Sequence, residues 1–320
     1  MHSGEWTLQR AAVIAAVLLK LHPAAAIAQG AAQEYRQLHL GVEVRLVVAT
    51  SDRLAADAGA RAAYAAIAEL EQVLSDWRPT SEVRRLALHP GEWVPVSPAL
   101  FEVTAASLRV AKASDGGFDP TVGPAVTLWR EARRTGVLPA DSALQRAQGQ
   151  SGWTHLHLDR VTQSVRLDRA GMRLDFGGIA KGFILDSARE VLRTRGLRAV
   201  LLEAGGDVVL GDPPPRESGW RVVVATAHGD TTLILDNVSV GTSGPSAQFV
   251  DLGGVRYSHV VDPRSGRALT RATQATVIHT VGAMSDALST MVTVLGEATG
   301  SATARALGAS AVFVHDAPPR

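Results

Sequence analysis

The chain has 320 residues, 46% of them apolar and 20% charged, with 32 basic against 31 acidic side chains and no cysteine. That apolar share excludes a disordered chain, and the near balance of charge asks for neither a nucleic acid nor an anionic membrane as partner. The missing cysteine removes disulfides, thiolate nucleophiles, iron–sulfur clusters and cysteine-ligated zinc, together with the lipid-modified cysteine of a bacterial lipoprotein.

Residues 1–28 begin basic at Arg10, run apolar from Ala11 to Leu19 and close on Ala24-Ala25-Ala26-Ile27-Ala28. This pattern predicts a secretory signal peptide cut after Ala28, and so a periplasmic destination; a buried N-terminal helix is the competing reading. The run falls short of the roughly 20 apolar residues of a membrane span, and Lys20 and His22 interrupt it, so no stable membrane anchor is expected.

Further along, Glu43–Ala49 puts Val44, Leu46 and Val48 on one face at period two, which predicts a strand. From Asp52 to Leu74 the residues Ala63, Ile67, Leu70 and Leu74 recur at helical spacing. Ser97 followed by Pro98 opens a second helix, and Gly116-Gly117 ends it. A third helix is predicted from Ile179 to Arg195, with Gly196 as its stop. Short strands are then predicted at Ala199–Leu202, Asp207–Leu210, Arg221–Ala225, Thr231–Leu235, Tyr257–Val261 and Thr276–Thr280, separated by Gly-, Pro- and Asp-rich turns. A helix over Ala283–Leu295 and a closing strand at Ala311–Val314 complete the series. Helices early and strands clustered late point to an α+β architecture, and the absence of repeats or linkers favours one compact unit over the two domains that length alone allows.

Several segments carry chemistry. Leu174–Gly182 (LDFGGIAKG) sits at a strand-to-helix junction, where free N–H groups and the helix dipole favour an anion. Gly177, Gly178 and Gly182 would let a ligand approach the backbone, and Asp175 and Lys181 supply one charge of each sign. The segment matches neither the Walker loop nor GxGxxG, and a structural turn is the alternative. In Met284–Thr290 (MSDALST), Asp286 and Thr290 stand four apart on one helix face, a carboxylate and a hydroxyl suited to a hard cation such as Mg²⁺; otherwise Asp286 caps the first turn. His259 falls mid-strand in Tyr257–Gly266 (YSHVVDPRSG), and Gly116–Pro124 (GGFDPTVGP) is a rigid loop with Phe118 and Asp119 at its tip. Trp77, just past a helix, reads as a stacking platform or as packing.

Taken in order, LSDWRPTSEVRRL, SDGGFDPTVGPAVTLW, LDFGGIAKGFILD, EAGGDVVLG, GTSG, YSHVVDPRSG and SDALSTMVTVLG resemble the successive motifs of the ApbE family of flavin transferases, from about Leu40 to Val314. The resemblance implies a single large α+β domain over 35–317, with mixed or antiparallel sheets and packed helices. It implies FAD contacts at Leu40, Trp77, Phe118, Asp119, Thr121, Asp175, Lys181 and Val260. For the metal it implies the Gly178 carbonyl with the side chains of Asp286 and Thr290. His259 and Asp286 become the catalytic candidates, His259 for proton transfer because it alone among the motif residues titrates near neutral pH. Three departures stand out: Ser285 where alanine is usual, Trp77 where tyrosine is frequent, and Leu40-Gly41-Val42 where Met-Gly-Thr is common.

The activity so implied is FAD:protein FMN transfer, with Mg²⁺ on the pyrophosphate of FAD, attack by a threonine hydroxyl of an acceptor protein on the FMN-side phosphorus, and departure of AMP. The implied acceptor carries a Ser/Thr-Gly-x-x-Thr-type motif in a membrane redox complex subunit or a secreted flavoprotein reductase. Lipoprotein members of the family need a cysteine after the leader, so this chain is expected untethered. Two alternatives stand beside transfer: a Mg²⁺-dependent FAD pyrophosphatase releasing FMN and AMP, and a non-catalytic periplasmic flavin-binding protein.

Overall fold

The computed structural model describes residues 32–244 and 249–316, so the predicted leader at 1–28 lies outside the described residues. A seven-stranded sheet frames the molecule, in spatial order Gln33–His39, Val42–Val48, Val200–Ala204, Asp207–Leu210, Ser239–Ser243, Thr273–His279 and Ala311–Asp316. Every neighbouring pair in it is antiparallel.

Alternation along the strands fills both faces. Val44, Leu46, Val48, Leu202, Val209 and Val277 point into the main core, where helices Arg53–Leu74, Ala180–Arg193 and Gly282–Leu295 contribute Ile67, Leu185 and Leu288. Val47, Leu201, Leu210, Val240 and Ile278 point the other way, against Trp220, Val222 and Val224 of a hairpin formed by Trp220–Thr226 and Gly229–Leu235. Cover on both sides explains why Ala199–Leu202 reads as a continuous apolar run and not as an alternating one.

The expected helix signals hold. The Asp52 side chain accepts the Ala55 amide, Ser97 accepts that of Leu100 with Pro98 in the first turn, and Gly196 takes the left-handed conformation after the helix Ala180–Arg193. The mixed α+β architecture stands as expected, although the sheet draws its strands from both ends of the chain.

Other elements were not anticipated. Gln33–His39 (QEYRQLH) is an edge strand with little apolar alternation to announce it. Gly123-Pro124 opens the helix Gly123–Thr135, proline serving at the first turn where its missing N–H costs nothing. Helices Asp141–Gly149 and Glu297–Ala306 follow in their places. The single strand expected at Tyr257–Val261 is split into Val255–Ser258 and Val261–Asp262, leaving His259 in a bend. The break has a cause: the Val260 amide turns back onto the Ser258 hydroxyl at 3.1 Å. Around it a separate apolar cluster of Trp129, Leu144, Leu252, Val261 and Ala268 ties this segment to the helix Gly123–Thr135. Trp129 Nε1 donates to the Gly266 carbonyl at 2.9 Å and fixes the junction.

Candidate functional site

Close backbone approach brings the site together. A Cβ on Gly282 would lie 2.6 Å from the Gly182 carbonyl oxygen, a Cβ on Gly182 would fall on the Gly282 carbonyl, and one on Gly241 would fall on Ser285. The helix Gly282–Leu295 is thus held between the helix Ala180–Arg193 and the strand Ser239–Ser243, with glycine at each contact. Gly182 therefore serves helix packing, where the sequence pointed to ligand approach.

Neither helix has an N-terminal side-chain cap of its own. Each supplies the other. Asp186 accepts the Gly282 and Ala283 amides at 2.6 and 3.2 Å, and Asp286 Oδ2 accepts the Gly182 amide at 3.1 Å. Capping of the second helix belongs to Asp186, which frees Asp286 from that role.

Lys181 Nζ stands 2.8 Å from Asp207 Oδ2 and 3.4 Å from Asp286 Oδ1. Asp207 is 1% exposed and Asp286 2%. Burial alone would pull the Lys181 ammonium down, but the two carboxylates outweigh it and hold it above its ordinary range. Asp207 is pushed up by burial and by the Asp286 charge, against the pull of Lys181. Both values move up, which favours the charged form of Lys181 and the neutral form of Asp207, and geometry decides between them: an ammonium between two carboxylates stays charged. One positive charge then faces two buried carboxylates, leaving the cluster short of positive charge.

Asp207 is a site residue the sequence reading did not single out. Its signal was present in EAGGD, where Gly205 (φ 54°) and Gly206 (φ 100°) make the two-residue turn between strands Val200–Ala204 and Asp207–Leu210. Register places the turn Leu40-Gly41 at the same end of the sheet, since Val44 pairs with Ala204 and a Cβ on Gly205 would meet Val42. Leu40 itself is left-handed at φ 55°.

One helical turn beyond Asp286, Thr290 meets the glycine segment. A Cβ on Gly178 would lie 3.0 Å from Thr290 Oγ1 and 3.3 Å from the Phe118 ring. Gly178, Thr290 and Phe118 are therefore neighbours, with Asp286 one helical turn before Thr290. Among the described residues no cluster of three or more His, Asp or Glu side chains is placed to hold a metal ion, so any cation here would rely on mixed oxygen donors.

Asp119 and Thr121 hold the Phe118 loop in shape. Asp119 Oδ1 accepts the Thr121 amide and hydroxyl at 2.8 and 2.7 Å, Asp119 Oδ2 accepts the Trp153 amide at 2.9 Å, and Thr121 Oγ1 accepts the Gly152 amide at 2.7 Å. The Asp175 amide docks this loop by donating to the Pro120 carbonyl at 2.7 Å. The Asp175 carboxylate is equally engaged: Oδ1 accepts the Gly177 amide at 2.8 Å and Oδ2 the Arg130 guanidinium at 2.8 Å. Burial and the neighbouring Asp76 charge push Asp175 above the ordinary carboxylate range. Arg130 also pairs with Asp76 and lies 4.2 Å from the centroid of the Trp77 ring, which is 70% exposed and so is no packing residue. Arg130 is a second residue the sequence left unmarked; its partners lie 45 and 54 positions away, beyond any local pattern. Val260 is buried beside His259, its carbonyl accepting the Leu269 amide at 2.9 Å.

Compared with known proteins, the sequence matches the ApbE family over residues 40–313. It is 30% identical to the FAD:protein FMN transferase of Vibrio cholerae over 247 residues, 74% of this chain and 73% of that relative. It is 32% identical over 270 residues to the FAD:protein FMN transferase of Rhodobacter capsulatus, 80% of this chain and 51% of that longer protein. Among solved structures, the apo flavinyl transferase ApbE of Pseudomonas stutzeri is similar with a TM-score of 0.79 at 27% identity, over 90% of this chain and 92% of that one. The ApbE protein of Thermotoga maritima is similar with a TM-score of 0.79 at 29% identity, over 88% and 94%.

Proposed function

The chain belongs to the ApbE family, and on that footing we propose that it transfers the FMN moiety of FAD to a threonine hydroxyl of an acceptor protein and releases AMP. The observation that carries this reading is the pair of buried carboxylates, Asp207 and Asp286, facing the single ammonium of Lys181 one helical turn from Thr290 and Gly178. Such a charge deficit beside a glycine-lined helix start fits a divalent cation together with a pyrophosphate.

Mg²⁺ fits the donors present: Asp286, Thr290 and the Gly178 carbonyl are all hard oxygen ligands, few enough to leave positions for phosphate oxygens and water. When bound there it would supply charge neutralisation at the pyrophosphate. The chain's own groups do the rest. Lys181 meets phosphate oxygens at the start of the helix Ala180–Arg193, where the Ala180 and Gly182 amides are already taken by the Phe176 carbonyl and Asp286. Phe118 and Trp77 offer aromatic surface to the flavin, and Leu40 an apolar contact. Asp119, Thr121 and Asp175 fix the loops that carry these groups, and Val260, buried next to His259 in the chain, anchors that bend through the Leu269 amide. The acceptor threonine oxygen bonds to the FMN-side phosphorus as the bridging P–O bond breaks, so that AMP leaves and FMN remains as a phosphoester. The threonine proton passes to His259.

The transferase unit runs over 35–317 behind a cleaved leader at 1–28 and works in the periplasm, on an acceptor that presents a threonine in a Ser/Thr-Gly-x-x-Thr-type segment. Among the described residues no helix is long and apolar enough to cross a membrane. Asp286→Ala tests the reading: FMN transfer dependent on Mg²⁺ should vanish while thermal unfolding stays cooperative, with Asp286→Asn keeping an acceptor for the Gly182 amide as the fold control. Unchanged transfer in both variants would remove the assignment.

A further inference from the structure

Arg130 lies outside the motif positions that suggested a flavin site, yet it touches two of them, Trp77 and Asp175. Its guanidinium is gripped on two sides: one nitrogen pairs with Asp76 and another with Asp175 Oδ2 at 2.8 Å. The planar group so fixed lies under the indole of Trp77, its carbon 4.2 Å from the ring centroid. Asp175 continues the chain, because its other oxygen holds the Gly177 amide at 2.8 Å. Gly178, the next residue, abuts Thr290 and Phe118.

We propose that Arg130 is a positioning residue for the flavin ring: clamped between Asp76 and Asp175, it backs one face of Trp77 so that the other face serves as a stacking platform held in register with the Gly178–Thr290 end of the site. The proposal rests on the reading of FAD as substrate.

Three features support it. Trp77 stands 70% exposed in a turn, an arrangement that leaves a large indole without a packed pocket, and Arg130 is the group against its face. The bridging geometry requires a planar fork, which arginine has and lysine lacks, because one ammonium cannot serve two carboxylates and lie flat under a ring. Both ends of the fork are engaged by carboxylates, so Arg130 is committed to holding the platform and not to gripping phosphate.

The test is a double-mutant cycle on the purified chain, reading KM for FAD, kcat and the quenching of tryptophan fluorescence by FAD. Arg130→Ala and Trp77→Ala should each raise KM about tenfold with kcat changed less than about threefold, the pattern of lost uniform binding. If Arg130 acts through Trp77, the double variant should be no worse than Trp77→Ala alone. Arg130→Lys, which keeps the charge and the fold, should not restore KM. Penalties that multiply in the double variant, a KM for Arg130→Ala within twofold of the wild type, or full rescue by lysine would each overturn the role of Arg130 while leaving the FAD reading intact. A wild-type chain that neither cleaves FAD nor shows quenching by it would overturn both.

Discussion

Gly282→Ala probes the contact that assembles the site. Its new methyl would lie 2.6 Å from the Gly182 carbonyl oxygen and 3.0 Å from Asp186 Oδ1, where ordinary contact begins at 3.4 Å. The oxygen is backbone and cannot turn aside, so the two helices must open by about 0.8 Å. That stretches the 3.1 Å hydrogen bond from the Gly182 amide to Asp286 beyond useful length and disturbs the 2.6 Å cap from Asp186 to the Gly282 amide. Overpacking of this kind costs about 1–3 kcal/mol. The gain from replacing glycine in a helix is at most about 1 kcal/mol and smaller at a first helical position, so destabilisation wins. The melting midpoint should fall by roughly 2–4 °C per kcal/mol in a chain of this size. Activity should suffer more, since a displacement near 1 Å at a positioned group can cost up to about 100-fold in rate. The assay is AMP release from FAD with acceptor present, beside a thermal melt. A variant with wild-type rate and midpoint would refute the argument that this glycine pair sets the position of Asp286.

Two further outcomes are expected. Leu40 holds a left-handed conformation (φ 55°) that costs a leucine about 1 kcal/mol or more, beside Gly41 (φ 74°) in the turn. Leu40→Asn should leave the melting midpoint within about 2 °C, relief of strain offsetting lost packing, while raising KM for FAD; a large fall in midpoint with unchanged KM would make Leu40 a core residue instead. His279 is buried, and burial lowers its pKa; its Nδ1 accepts the Val281 amide at 2.9 Å just ahead of the Asp286 helix. Because the folded value lies below the ordinary value of 6.5, its contribution is complete above that pH and is lost as pH falls through the depressed value. Thermal melts across that range should show a steeper acid-side loss in the wild type than in His279→Asn; equal slopes would refute it.

Much of the fold was legible where local physics decides. The alternation of Val44, Leu46 and Val48, the caps Asp52 and Ser97, and the stop at Gly196 are all short-range signals, and all appear in place. What escaped notice depends on distant parts of the chain. Gln33–His39 is a strand only because Val42–Val48 pairs with it, and nothing in its own polar sequence announces that. Gly123-Pro124 looked like the end of a loop because the same dipeptide also opens helices. In the candidate site, Asp286, Thr290, Gly178 and Lys181 could be picked out because they stand in motifs that resemble those of the family; their types and spacing alone left a structural reading open. Asp207 and Arg130 could not, since each gains its meaning from partners brought close only by folding. Gly182 was noticed for the wrong reason: small size near a motif is the same signal whether a ligand or a helix comes close.

The most direct measurement combines the mature chain, FAD, Mg²⁺ and a short acceptor domain bearing the threonine segment. Mass spectrometry follows the acceptor, and chromatography follows the nucleotides. One FMN should be added to the acceptor threonine for each AMP released, and both should be lost with Asp286→Ala. Free FMN released with no modified acceptor would contradict transfer in favour of hydrolysis, and FAD retained uncleaved with Mg²⁺ and acceptor present would contradict catalysis altogether.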